Sequence, residues 1–291
     1  MGNHVMKNLL YVVVLLLIMM QRIQSQTQSS ATPPPEYGWK HGLLTGLTLT
    51  QVAYTDWVQG GENALAYTIT IDGKSAQDEA MFNWTSIYKF AFGQTRLGIQ
   101  GLRKTDDIID LGSVFTYKLG SYINPYGAVT VKTQFARGFV YDATGIGADV
   151  SKFFDPAYFT QSAGVGYQPM KEFRERLGLA LREVITDKFN QYADDPATTS
   201  IEKTSVDGGL ESVTNVEWQL EENMLFTSQL ELFAPFKALD EVVVRNTSTI
   251  TAKVNKYITA ILSVQLINEK RASPRTQIKE NIAMGLSYTI F

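Results

Sequence analysis

From Gly42 onward the chain alternates apolar and polar residues with a period of two, in segments of about ten residues. In residues 80–92, Phe82, Trp84, Tyr88, Phe90 and Phe92 fall on one face with Ser86, while Asn83, Thr85, Ile87, Lys89 and Ala91 fall on the other. In 111–121, Leu111, Phe115, Tyr117 and Leu119 oppose Gly112, Thr116, Lys118 and Gly120. Residues 174–182 set Glu175, Leu177, Leu179 and Leu181 against Arg174, Arg176, Gly178, Ala180 and Arg182. Twelve such segments are expected strands, near 43–54, 64–74, 80–93, 111–122, 126–137, 157–167, 173–186, 205–220, 224–234, 241–254, 257–267 and 278–290.

The connections alternate in length. Tight ones are expected at Asn124-Pro125, Gln168 to Glu172, Glu221 to Asn223 and Asn255-Lys256, with a somewhat longer one at Lys74 to Glu79. Longer ones fall at 55–63, 94–110, 138–156, 187–204, 235–240 and 268–277. Short turns at one end and long loops at the other describe an all-β, up-and-down antiparallel transmembrane barrel with periplasmic turns and extracellular loops.

The charges give a second test. Lys89, Lys118, Lys132, Arg174, Arg176, Arg182, Glu211, Glu217, Glu231, Arg245, Lys253 and Lys279 read as mid-strand residues opposite the apolar face, and so as lumen-facing. Nine bases and three acids give this set a charge of +6, with the compensating acids expected in outer loops, so an open lumen would prefer anions. The apolar face is clean except at segment ends, as at Glu175, Glu183 and Arg137. A Lys or Arg there would cost about 2–4 kcal/mol near the bilayer midplane. A soluble periplasmic β-sandwich that binds a partner would show the same alternation with the faces exchanged, and stays open as an alternative. Tyr54, Trp57, Phe82, Trp84, Phe92, Tyr122, Tyr126, Phe135, Tyr167, Trp218 and Tyr288 sit near segment ends, as interfacial aromatic girdles do.

The N-terminus changes the picture of location. Lys7 precedes an uncharged apolar run over 9–20, and Ile23-Gln24-Ser25 offers a small residue for cleavage. The run is short for a bilayer span and reads as a signal peptide over 1–25. Its removal takes Lys7 and Arg22, leaving 24 bases against 29 acids, a net charge of −5. Residues 26–38 are polar and Pro-rich, a flexible periplasmic lead-in to a barrel over 39–291. Zero Cys excludes a disulfide framework and a thiolate metal site or nucleophile. Mild acidity without a Lys/Arg-rich run argues against nucleic acid as a partner. The closing G-L-S-Y-T-I-F strand, with Tyr288 and the terminal Phe291, reads as an assembly signal for an outer-membrane barrel. The partners it implies are outer-membrane lipid and the barrel-assembly machinery.

Trp57-Val58-Gln59-Gly60-Gly61-Glu62-Asn63 follows the first strand, 153–169 read F-F-D-P-A-Y-F-T-Q-S-A-G-V-G-Y-Q-P, and 254–268 read V-N-K-Y-I-T-A-I-L-S-V-Q-L-I-N. With the C-terminal strand, these resemble an uncharacterised family of Bacteroidetes outer-membrane proteins, a domain of unknown function. More distantly they resemble the salt-induced outer-membrane protein family. The resemblance covers about Trp39 to Phe291. It implies a location and a fold, and no activity. One departure is Thr289, which stands where such chains often carry Tyr; Tyr288 lies one earlier.

Candidate chemistry is sparse. His4 lies in the signal peptide, and His41 at the periplasmic rim, the wrong end for a membrane-barrel hydrolase. Asp106, Asp107 and Asp110 crowd one expected loop, Asp142, Asp149 and Asp155 the next, and Asp194 and Asp195 another, without the spacing of a calcium loop. Gly60-Gly61 lacks the lysine and helix of a phosphate loop. The expectation is therefore an outer-membrane barrel of a Gram-negative cell, without catalytic residues, cofactor or metal, acting as a small channel or a structural or binding barrel. An outer-membrane enzyme acting on lipid or peptide at the extracellular rim is the alternative.

Overall fold

The computed structural model describes residues 37–54, 61–142, 144–195, 197–270 and 273–289. The expected signal peptide, most of the lead-in, Trp57 to Gly60 and Phe291 lie outside them.

Twelve strands close into one antiparallel barrel. They are β1 (Gly38–Val52), β2 (Ala64–Asp78), β3 (Phe82–Leu97), β4 (Arg103–Tyr117), β5 (Ile123–Thr133), β8 (Ala157–Met170), β9 (Phe173–Ile185), β10 (Thr204–Glu221), β11 (Met224–Pro235), β12 (Val243–Lys253), β13 (Ile258–Asn268) and β14 (Gln277–Thr289). Each pairs with its sequence neighbours, and β1 meets β14 to close the ring. The two short strands β6 (Gly138–Tyr141) and β7 (Gly147–Ser151) pair as a separate hairpin between β5 and β8. The closed ring excludes the β-sandwich.

Side-chain distribution inverts that of a soluble domain. Leu47 and Leu49 on β1, Ile69 and Ile71 on β2, Leu177, Leu179 and Leu181 on β9, and Ile282, Met284 and Leu286 on β14 all stand exposed. Arg182, Asp207 and Glu269, by contrast, are only 8 %, 8 % and 7 % exposed. An apolar wall around a polar interior suits hydrocarbon as the outer solvent, and closure leaves backbone groups paired within the sheet.

Local chemistry fixes the turns. Asn255 accepts the backbone N–H groups of Tyr257 and Ile258 at 2.8 and 2.9 Å, an Asx turn between β12 and β13. Asn124 accepts those of Leu119 and Gly120 at 2.7 and 2.9 Å. The Asn124-Pro125 pair therefore does not form the turn itself. It opens β5, and Asn124 closes the preceding turn over 118–122 from the strand side.

The largest departure from the sequence reading is β4. It begins at Arg103, so the expected loop over 94–110 is mostly strand. Asp106 and Asp110 thereby enter the barrel wall. Asp107 joins them there, and its carboxylate accepts the Phe135 and Ala136 N–H groups at 2.6 and 3.0 Å beside Lys104 at 2.6 Å. The outer face is also less clean than expected. Glu280 shares the face of Val264 on the neighbouring strand, and Ser228, Asn246 and Ser248 form a mutually hydrogen-bonded polar group on the outer side of β11 and β12.

Candidate functional site

The lumen is the candidate site, and an alternating row of charge builds its middle. The barrel register sets Asp72 of β2 opposite Lys89 of β3, Lys89 opposite Asp110 of β4, and Asp110 opposite Lys132 of β5. Opposite charges directly across a sheet stabilise one another. Lys132 approaches Asp110 at 3.7 Å, but its closer partner is Glu231 of β11, with Nζ 2.5 and 2.7 Å from the two carboxylate oxygens. β5 and β11 are four strands apart around the ring, so this pair is a chord across the lumen.

The row continues beyond the chord. Glu231 faces Arg245 of β12 in register. Arg245 donates to Glu269, just past β13, at 2.7 Å, and Arg182 of β9 donates to the other oxygen of Glu269, also at 2.7 Å. Tyr158 of β8 lies under both guanidinium groups, 4.9 and 5.2 Å from its ring. A third chord joins Lys279 of β14 to Asp106 of β4 at 2.7 Å. Buried charges pay a desolvation cost and persist only when paired; Lys132, Glu231, Arg245, Glu269, Arg182, Lys279 and Asp106 each have a partner within ion-pair distance, whereas Asp72 and Lys89 stand opposite in register without one among the described residues.

The row divides the interior. Towards the long loops lies a cavity of about 460 Å³, lined by four bases (Lys89, Lys132, Arg245 and Lys279) and five acids (Asp106, Asp107, Asp110, Glu231 and Glu269). Towards the short turns lies one of about 350 Å³, lined among others by Lys74, Lys118, Arg174, Arg176 and Glu217. Lys89, Asp110, Gln229 and Glu231 line both cavities and form the partition between them.

An apolar patch lies on β5, β10 and β11. Tyr126, Val213 and Phe233 are buried there. Glycines make the room: a Cβ on Gly178 would lie 2.7 Å from the Tyr126 hydroxyl, and one on Gly209 would lie 2.7 Å from the Phe233 ring. Tyr126 is thus a lumen residue and not part of a girdle; Arg176 lies over its ring at 5.2 Å.

Of the residues expected in the lumen, Lys89, Lys132, Glu231, Arg245 and Lys279 line the loop-side cavity, and Arg174, Arg176 and Glu217 the turn-side one. Arg182 and Glu211 line a small pocket between them. Arg174 pairs with Glu217 at 3.6 Å. Lys118 lies just past β4 in a turn, 2.6 Å from Asp78, and Lys253 is the exposed last residue of β12; neither is mid-strand. Tyr288 is exposed on the outer face, opposite Thr45.

The acids are where the sequence reading fell short. Adding Lys74 to the bases, and Asp72, Asp78, Asp106, Asp107, Asp110, Asp207 and Glu269 to the acids, sets ten bases against ten acids in place of nine against three. The compensating charge is inside the barrel, not in outer loops. The register signal was available, since Asp72 and Asp110 stand in phase with Lys74 and Lys89, but the acidic run 106–110 reads as a loop.

The other candidate acids serve loop structure. Asp155 is 1 % exposed and accepts the Asp187 and Lys188 N–H groups at 3.1 and 2.8 Å. Asp142 accepts from Thr144 and Ile146, which hold its carboxyl below the usual range. Asp149 pairs with Lys188 at 3.0 Å. Asp194 and Asp195 accept backbone N–H groups of Glu202 and Ala197. His41 shares a 2.9 Å hydrogen bond with Ser75 and stacks on Trp39 on the outer face near the turn end, with Trp84 beside Trp39.

Among solved structures the chain is similar to an outer membrane channel from Pseudomonas putida F1, at 11% identity and a TM-score of 0.39 over 91% of this chain and 99% of that one. It is similar to the translocator domain of the autotransporter NalP from Neisseria meningitidis, at 10% identity and a TM-score of 0.38 over 96% and 97%. The NanC porin follows at 10% identity and 0.37 over 84% and 98%. Likenesses this loose carry no weight for function. No curated protein matches the chain in sequence. Residues 49–139 match the family described as Protein of unknown function (DUF3078). Residues 104–290, more than half of the chain, match the family described as Protein of unknown function, DUF481, and the chain belongs to that family.

Proposed function

We propose that the protein is an integral barrel of a Gram-negative outer membrane, without a catalytic role, whose lumen is a channel held closed at its middle by ion pairs. The observation that carries this is the Lys132–Glu231 chord, whose Glu231 also belongs to the partition between the two cavities. A twelve-stranded barrel stands between barrels of about 8 strands, filled by side chains, and porins of 16–18 strands with open channels. At that size a few crossing side chains suffice to close the bore. The apolar outer wall supports the membrane location, and the loop end is then the extracellular one. This keeps the chain among outer-membrane barrels, in line with its resemblance to Bacteroidetes and salt-induced outer-membrane proteins.

Two measurements test the reading. The protein should float with outer membranes, resist carbonate extraction and show heat-modifiable mobility on gels; recovery in a soluble fraction would contradict the location. In liposome swelling with small neutral solutes, the wild type should be nearly silent and Lys132→Ala/Glu231→Ala should swell. Swelling by the wild type at the variant's rate would contradict closure.

A further inference from the structure

The lumen is balanced in the number of its charges but not in their pairing. The central row is matched within itself, with Asp72, Asp110, Glu231 and Glu269 against Lys89, Lys132, Arg182 and Arg245. The turn-side cavity is not. Its lining carries five bases (Lys74, Lys89, Lys118, Arg174 and Arg176) and four acids (Asp110, Glu175, Glu217 and Glu231). All four acids are engaged. Asp110 and Glu231 hold Lys132, which lines the loop-side cavity instead. Glu217 lies 3.6 Å from Arg174. Glu175 accepts the hydroxyls of Ser212, at 2.7 Å, and Thr214.

The bases are only partly engaged. Lys118 donates to Asp78 and to the Glu79 carbonyl, each at 2.6 Å. Lys74, Lys89 and Arg176 have no ion pair among the described residues, although Lys89 faces Asp72 and Asp110 in register and Arg176 shares a small pocket with Glu211. The Arg176 Nη1 is closed off from water and makes no hydrogen bond. A shielded guanidinium N–H without an acceptor is costly, and an anion in the cavity that Arg176 lines removes that cost. The three groups reach the cavity from opposite sides of the ring: Arg176 from β9, and Lys89 and Lys74 from β3 and β2, four and five strands away. Thr130 and Asn215 add neutral donors to the same lining. A planar fork and two ammonium groups around one cavity suit an anion that offers several oxygens.

We propose that the turn-side cavity is a binding site for a small oxyanion, a phosphate or a carboxylate, held between the Arg176 guanidinium on one side of the bore and Lys74 and Lys89 on the other. The site goes beyond the channel reading and needs no closed bore. Conductance and solute swelling read closure, whereas binding to the purified barrel reads the site, so either can fail without the other.

The test is isothermal titration calorimetry of the purified barrel in neutral detergent at low ionic strength. The probes are inorganic phosphate and succinate, and heat-modifiable mobility verifies the fold of each variant. The wild type should bind at least one probe, and the one it binds more tightly names the oxyanion. Arg176→Gln and Lys74→Gln should each weaken that binding about tenfold or more, as loss of a charge-assisted hydrogen bond does. Lys171→Gln removes one charge from the exposed β8–β9 turn at the same end and should leave binding unchanged. Binding of neither probe by the wild type would overturn the site. So would equal weakening by Lys171→Gln, which would mean attraction by overall charge alone. Weakening by only one of Arg176→Gln and Lys74→Gln would overturn the two-sided arrangement.

Discussion

Lys132 holds two carboxylates at once, Asp110 on the neighbouring strand and Glu231 across the bore. Removing one member of a buried pair leaves the other charged and unpaired, at a cost of about 3–5 kcal/mol. Lys132→Ala should therefore lower the urea midpoint of the reconstituted barrel more than Lys132→Ala/Glu231→Ala does, because the double variant strips Lys132 from Asp110 alone and not from Asp110 and Glu231 together. Additive losses in a double-mutant cycle would show that the chord contributes no coupling. Gly178 makes a different kind of contribution. A side chain there meets the Tyr126 hydroxyl and the Ala163 carbonyl, so Gly178→Val should destabilise the barrel by about 1–3 kcal/mol through overpacking. Gly178→Val with Tyr126→Ala should recover part of that loss, read from the same urea midpoints. If the double variant is no better, the Tyr126 contact is not the source.

At the scale of elements, the loop-end assembly is tied by Asp155, which accepts from the segment after β9 while itself following the β6–β7 hairpin. Asp155→Ala should make the β9–β10 connection cleavable by protease in intact vesicles, while the barrel stays heat-modifiable. Within that connection Glu202 accepts from Thr198, the Asp195 N–H and Ser200, which bring its carboxyl down to about 2. A lowered folded value stabilises above the ordinary carboxylate range and is lost as pH falls through the folded value. The connection should keep its protection down to about pH 3 and lose it near pH 2, read by amide exchange at Asp195; loss already at pH 4 would contradict the Glu202 contacts. The twelve barrel strands were legible in the sequence because the period of two runs through most of each, with register shifts such as that between Gly93 and Gln94. What was missed has identifiable causes. The start of β4 is polar on its inner face, where Asp106 and Asp110 stand, and a lumen strand with acids reads like a loop. The β6 and β7 strands are 4 and 5 residues long, too short to show a period. The chords Lys132–Glu231 and Lys279–Asp106 join residues 99 and 173 positions apart, and no local spacing announces them.

For the whole molecule, the balance of ten bases and ten acids removes the reason for strong anion preference that the mid-strand residues alone suggested. Charge rings beside the permeating ion set selectivity. In the opened Lys132→Ala/Glu231→Ala barrel, which loses one charge of each sign, the reversal potential in a salt gradient should lie close to zero. A potential near the anion limit would mean that the inner acids are neutralised or shielded. The most direct test of the closed-channel reading is single-channel conductance of the purified barrel in a planar bilayer. The wild type should show no sustained conductance at neutral pH, whereas Lys132→Ala/Glu231→Ala should show stable steps. Sustained steps of equal size in both proteins would contradict closure by the ion-pair belt.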